Sequence, residues 1–343
     1  MNTETTISYK TRQKSFNVGT FNLYNLVLPQ VKYHGNREYT PEVYQQKKAW
    51  INHQLNLMKA DIIGFQELFH QEALQEIIAE NQDYKDAAII TTNPTGELPT
   101  VALLSKFPVI KYTIFKEFPL GINLDFKEVI IPINSFSRPV IAADIALTDD
   151  IQCTVFVVHL KSKRPIIPES VDRQDPVEFV KGKARALILR AAEAAALRVI
   201  LMDKLKNRQY PVIVLGDLND GNLAVTTRMI MGEPPWEKLR FEAKKKIWDV
   251  LLYSVKDIQA RQSYGDFYFS HIHNGYYESL DHILVSEEFV AFNRESIGKV
   301  TYVSVFNDHL IDEMLSDAEV EPWQSDHGQV VASFQLKPPL NPS

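Results

Sequence analysis

One cysteine, Cys153, stands in a chain of 343 residues, so neither an intrachain disulfide nor a cysteine-based zinc site can be built. It lies in the apolar run Cys153–Val158, where a thiol behaves as a small core side chain. No apolar run approaches the roughly 18 residues that a membrane span needs. The N-terminal stretch, Met1 to Lys14, is polar and lacks the apolar centre of a secretory signal. A surplus of positive charge is also missing. The net charge of −6 argues against a general electrostatic clamp on nucleic acid, leaving room for a local basic patch. Repeats, low-complexity runs and interdomain linkers are absent too. The expectation is a cytoplasmic protein with no membrane span and no evident obligate protein partner; a trimmed signal would leave the same sequence.

What is present is ordinary globular material, 45% hydrophobic and 23% charged. A polar leader over 1–14 should precede a single domain over 15–336, with an extended, proline-rich tail over 337–343. Ser15–Leu23 alternates as a strand. Thr40-Pro41-Glu42 is a helix start, with a cap, a proline at the first position and an acid in the first turn. That helix should run to Lys59 on the apolar positions Val43, Trp50, Leu57 and Met58. A buried strand at Asp61–Glu67 and a helix at Ala73–Asn81 follow. Strands are expected at 87–91, 101–105, 109–115, 128–133, 140–147 and 151–159. A long alanine-rich helix spans 178–205, and a shorter one 224–231. Further strands fall near 212–217, 267–271, 283–286, 300–306 and 329–336. Runs of strands with few intervening helices favour antiparallel pairing.

The chemistry gathers at strand ends. In Tyr210–Asp220 an apolar run ends in Gly216-Asp217-Leu218-Asn219-Asp220. Asp217 and Asn219 are two apart, so on an extended chain both face one side and offer oxygens to a hard cation or a polarised water. The same residues also make an ordinary turn, which is the reading given to Asp220. Other apolar strands end in Asn22, Gln66-Glu67, His159, Asp281 and Ser325-Asp326-His327.

In this order the set resembles the endonuclease/exonuclease/phosphatase superfamily, whose motifs run N, QE, H, GDxN, D and SDH. The resemblance covers residues 15–336. It implies an α/β four-layer sandwich, with two mainly antiparallel sheets packed face to face and helices outside. It also implies a phosphoesterase dependent on Mg²⁺ or Mn²⁺. On that resemblance Asn22, Glu67 and Asp326 surround the metal, His327 is the general base and Asp281 orients it. Asp217 and Asn219 position the water or a second metal, His159 contacts the phosphate, and Arg138 in Phe136-Ser137-Arg138-Pro139 supplies a phosphate-binding cation. Two departures stand out. Glu97 is a candidate for an acidic residue that supports a histidine in relatives. His282 replaces a common tyrosine and is assigned to packing or hydrogen bonding.

Substrate class is approached through charge. Lys161, Lys163 and Arg164 follow His159 directly and are the candidates for substrate contact. From Lys181 onward the basic residues, Arg190 included, read as a solvated helix face, as does Lys244-Lys245-Lys246. Tyr264, Phe267, Tyr268, Phe269, Tyr276 and Tyr277 cluster before Asp281, where they could stack bases or pack on the core. His271 and His273 could form a same-face metal pair on a strand. The signatures of the phosphoinositide branch are missing. A nuclease acting on DNA or RNA comes first, and a phosphatase or phosphodiesterase for a small or lipid-linked phosphate second. A catalytically inactive binding module is a third reading, opposed by the complete set of site residues.

Overall fold

In the computed structural model, residues 15–338 are described except for 93, 123–131, 208–210, 234–237, 241, 244–249, 264–267 and 294. The leader, most of the expected strand at 128–133, Lys244–Lys246, Tyr264 and Phe267 therefore lie outside the described residues. Residues 132–134 carry no strand.

Two long crossover helices set the architecture. Strand β1 (Ser15–Leu26) is joined by α1 (Pro41–Met58) to β2 (Ile62–Leu68), and β1 and β2 pair in parallel. Strand β7 (Gln152–His159) is joined by α3 (Pro176–Asn207) to β8 (Val212–Asp217), again in parallel. A parallel pair needs such a crossover, because its second strand must start where the first began. Helix α1 starts as expected: the Thr40 hydroxyl accepts from the Val43 N–H, with Pro41 at the first position. Its buried stripe is Tyr44, Trp50, Ile51, Leu55 and Met58, whereas the expected Leu57 is 45% exposed. The 3.6-residue period sets that stripe, and Leu57 falls off it.

All remaining pairings within the two main sheets are antiparallel. Between β2 and β7 lie α2 (Gln71–Glu80), β3 (Ala88–Thr91), β4 (Thr100–Ser105), β5 (Val109–Glu117) and β6 (Ser135–Ala146). After β8 come α4 (Val225–Met231), β9 (Leu252–Ser254) and α5 (Val255–Gln262). A hairpin of β10 (His271–His273) and β11 (Tyr276–Glu278) precedes β12 (Asp281–Ser286), β13 (Gly298–Phe306) and β14 (Gln329–Leu336). One six-stranded sheet runs β13-β14-β1-β2-β4-β3 and the other β5-β6-β7-β8-β12-β9. The structure thus has the expected layered sandwich, each sheet mixed by one parallel pair. Strands β9 and β11 and helix α5 were not expected, and the strand expected near 267–271 is found as β10 at His271–His273, with residues 268–270 outside it.

Side-chain alternation makes the layers. On β7, Cys153, Val155 and Val157 enter the core between the sheets, while Phe156 and Val158 pack outward with Leu197 and Leu201 of α3. On the other sheet, Phe16 and Val18 of β1 face inward, while Phe21 and Leu23 pack with Ile51 and Leu55 of α1 and Leu74 and Ile77 of α2. Extending the inward parity to the strand ends gives Asn22 on β1, Gln66 on β2, His159 on β7, Asp217 on β8 and Asp281 on β12. The faces that form the central core therefore end in polar residues at one edge.

Gly216 lets β8 approach β7. Its φ is +149°, and a Cβ there would collide with the Val158 carbonyl oxygen. Gly216→Ala should destabilise the protein by about 2 kcal/mol or more in denaturant unfolding, and an unchanged midpoint would refute this tight approach.

Candidate active site

Strand polarity brings the polar ends together. β1, β2, β7 and β8 deliver their C-terminal ends to one edge of the sandwich. β12 and β14 run against β8 and β1, so their starts arrive at that edge, with Asp281 paired to Asp217. The Ser325 hydroxyl donates to the Asn22 carbonyl at 2.8 Å and accepts from the His327 N–H at 3.0 Å, fixing the segment before β14. Ladder irregularities sit at the same edge, between Asn22 and Leu26 and between Phe65 and Leu68. Glu67 has φ +60°, a left-handed conformation that lifts it off the regular alternation.

Asp217 is the hub. Its Oδ2 lies 3.3 Å from Asn22 Nδ2, which donates to it, 3.4 Å from His159 Nε2 and 3.9 Å from His327 Nε2. His327 Nδ1 donates to Asp281 Oδ2 at 2.8 Å, leaving Nε2 for the site. Burial opposes charge on His327, but the Asp281 and Asp217 carboxylates outweigh it and hold the ring well above the ordinary imidazole range. His159 behaves oppositely: burial, then the Arg138, His327 and Lys161 cations, keep it well below that range. Burial, with the Asp281 charge, pushes Asp217 up to about 7 against the pull of His327. The site thus pairs a neutral histidine with a charged one across a single carboxylate.

Asn219 reaches this group differently from the strand argument. The strand ends at Asp217, and Asn219 takes φ +55°. Its N–H donates to Asp217 Oδ1 at 2.8 Å, and its Nδ2 donates to the Leu160 carbonyl at 3.0 Å. The carboxamide thereby joins the ends of β7 and β8.

The carboxylates Glu67 and Asp326 form the other side. Burial and the Asp326 charge raise Glu67, with Arg138 and His327 acting against them. Glu67 Oε2 accepts from the Asn25 N–H at 3.0 Å, while Asp326 Oδ1 is buried without a hydrogen-bond partner among the described residues. The raised Glu67 carboxyl and the orphaned buried Asp326 oxygen fit a hard divalent cation. Asn22, Glu67 and Asp326 could hold it. Two tighter donor groups also occur, with ligand atoms within 4.8 Å of one another: Asp217, Asp281 and His327, and His271, Asp326 and His327. Glu67 belongs to neither.

Helix α3 braces the loops from behind. The buried Glu193 carboxylate accepts from the Ser137 N–H at 2.7 Å and the Lys161 N–H at 2.6 Å. Arg190 Nε donates to Asp220 Oδ2 at 2.7 Å, and its Nη1 donates to the Lys161 carbonyl at 3.1 Å. The solvated-face expectation holds for exposed Lys181 and Lys183 but fails for Arg190, which is buried because it meets Asp220. Asp220 is correspondingly more than a turn residue. It also accepts from Thr226 at 2.5 Å, and its carbonyl accepts from His282 Nε2 at 2.8 Å, giving His282 its hydrogen-bonding role.

Arg138 Nη1 donates to the Leu160 carbonyl at 3.3 Å, placing this cation beside His159. Lys161 Nζ turns back onto its own loop, to the Ser162 and Arg164 carbonyls. Lys163 is exposed and pairs with Glu278 of β11 at 2.5 Å, and Arg164 is exposed. Glu97 is exposed, and His159 Nδ1 has no hydrogen-bond partner among the described residues, so Glu97 does not support that histidine.

The family's sequence profile, described as Endonuclease/Exonuclease/phosphatase family, matches residues 15–327. The chain belongs to this family. No curated protein sequence matches it. Among solved structures, it is similar to an endonuclease/exonuclease/phosphatase from Bacteroides vulgatus (15% identity, TM-score 0.55), covering 95% of this chain and 100% of that one. The human Nocturnin catalytic domain, solved with bound sulfate, gives 14% identity and a TM-score of 0.55, covering 94% and 95%. Truncated TDP2 of Caenorhabditis elegans gives 15% and 0.53, covering 94% and 97%. At these identities the likeness of structures speaks to the fold. Family membership and the clustered His and Asp donors together support a hydrolytic mechanism of the endonuclease/exonuclease/phosphatase type.

Lys47 lies outside all of the family motifs. It lies on the buried stripe of α1 and is 0% exposed, and its Nζ has no hydrogen-bond partner among the described residues. The amine stands 5.3 Å from the Tyr39 ring centroid and 5.7 Å from that of Tyr24. Its neighbour Lys48 escapes to Glu76 and Glu80 instead. The spacing Tyr44, Lys47, Ile51 was the available signal. Burial pushes Lys47 down to about 7 from 10.5, while Asp326 and Glu67 pull it upward. The unfolded chain binds this proton more tightly, so the stability penalty is full below pH 7 and disappears as pH rises toward 10.5. Lys47→Met should therefore raise unfolding free energy by a few kcal/mol at about pH 6, with the gain shrinking toward pH 10. Denaturant melts at both values check this, and a pH-independent gain would refute it.

Proposed function

We propose that the protein is a divalent-metal-dependent phosphodiester hydrolase, a nuclease that cleaves DNA or RNA by in-line attack of an activated water. The observation that carries the nuclease reading is the β10–β11 hairpin beside the site. It exposes Tyr276 and Tyr277, and the Lys163–Glu278 ion pair links it to the basic loop after His159. Exposed rings next to fixed cations suit bases on a phosphate backbone.

Asn22, Glu67 and Asp326 would hold Mg²⁺ or Mn²⁺, which supplies charge neutralisation on the phosphate. The water would sit against Asp217 Oδ2 and His327 Nε2, and with His327 charged its proton would pass to the Asp217 carboxyl, which burial and the Asp281 charge push up to about 7. Asp217 would thus take the role first assigned to His327. Asp281 orients the His327 ring through Nδ1 and favours its charge. Neutral His159 offers an N–H from Nε2, and Arg138 adds a permanent charge for the non-bridging oxygens. Asn219 keeps Asp217 aligned. The same electrostatics would serve a small phosphate ester, the second reading.

Hydrolysis should require Mg²⁺ or Mn²⁺ and stop with EDTA. Folded Asp217→Ala and His327→Ala variants should lose about 10³-fold or more in kcat, and EDTA-resistant turnover would refute the metal mechanism. Asp281→Asn should lower kcat by about 10²–10⁴-fold with KM little changed. A screen of plasmid, single-stranded DNA, RNA, inositol phosphates and bis-phosphodiester separates the two substrate readings, since turnover confined to the small esters would refute the nuclease assignment.

A further inference from the structure

A second kind of donor set lies at the outer rim of the site, where the hairpin meets the segment before β14. We propose that His271, Asp326 and His327 form a binding site for a borderline transition-metal ion of the zinc class, separate in chemistry from the oxygen site around Glu67. The ligand atoms of the three residues lie within 4.8 Å of one another. Two imidazoles and a carboxylate are a donor set that zinc favours and that magnesium, which prefers oxygens, does not.

The groups behind the ligands are already placed. His271 Nδ1 donates to the Asp326 carbonyl at 2.9 Å, so its proton sits on Nδ1 and Nε2 keeps a free lone pair. His327 Nδ1 donates to Asp281, so Nε2 is the atom that would ligate, releasing its proton as the ion binds. Each imidazole thus has the outer-shell acceptor that fixes tautomer and ring direction at zinc centres. The two rings lie 4.6 Å apart between centroids and 31° from parallel, and a β-bridge joins the two residues. Asp326 contributes the buried Oδ1 that has no partner among the described residues. Three protein ligands leave a fourth position open.

Such an ion would occupy His327 Nε2 and an Asp326 oxygen together. Zinc should therefore inhibit magnesium-supported hydrolysis, a consequence that rests on the function proposed above, whereas the binding itself does not.

Cobalt(II) is the probe, because in a low-coordinate nitrogen and oxygen site it acquires visible d–d absorption. The full chain, free of metal, is titrated with Co²⁺, followed by competition with Zn²⁺ and with excess Mg²⁺. One Co²⁺ per chain is expected, displaced by Zn²⁺ and retained against Mg²⁺. His271→Ala should weaken Co²⁺ binding by about 100-fold, and Glu67→Gln should leave it unchanged. His271→Asn keeps a donor for the Asp326 carbonyl and is expected to lose the band as well, with thermal melts confirming that each variant folds. No band in the wild type, or a band that survives both His271 substitutions, overturns the proposal. So does a band lost in Glu67→Gln. A chain with the expected band but no magnesium-supported hydrolysis would sink the catalytic reading and leave this site standing.

Discussion

Everything at the active edge depends on two sheets being held face to face with their parallel pairs in matching sense. Hydrophobic alternation packs Val155 and Val157 against the inward residues of the other sheet, and the same alternation delivers His159, Asp217, Asp281 and Asn22 to the seam. No separate scaffold for the site is needed. It is the place where the central core runs out of apolar residues. Any shift of one strand by one residue would turn its polar end away from the others.

That origin explains the electrostatics. Side chains that continue a core are desolvated, so charge among them is costly unless opposed. The chain meets this by distributing charge between unlike neighbours: the Asp281 carboxylate under His327, Arg138 beside His159 and Glu67, and Lys47 behind Glu67 and Asp326. Groups outside the immediate cluster hold its backbone. Glu193 and Arg190 accept and donate so as to bind two loops to one helix, which keeps Arg138 and His159 in mutual register.

The parts of this design that were legible in the sequence are those that local pattern dictates. Thr40-Pro41 marked α1, apolar runs marked the long strands, and polar residues closing such runs marked the site. Arg190 could not be read, because its burial depends on Asp220, thirty positions away across a tertiary contact. Lys47 was masked by the habit of lysines on buried stripes to extend their amines to solvent or to surface acids, as Lys48 does to Glu76 and Glu80. Strand β10 was expected a few residues too early and β11 was missed, because strands of three residues that mix histidine, tyrosine and glutamate carry little apolar pattern. Asn219 lies beside Asp217 through a left-handed turn in place of the continued strand that the spacing suggested.

The Ser325 to Asn22 hydrogen bond joins positions 303 residues apart in the chain. Strand β14, which follows it, lies between β13 and β1 and completes its sheet only after nearly all of the chain exists. A ribosome therefore releases most of this protein before Asp326 and His327 can meet Glu67 and Asp217.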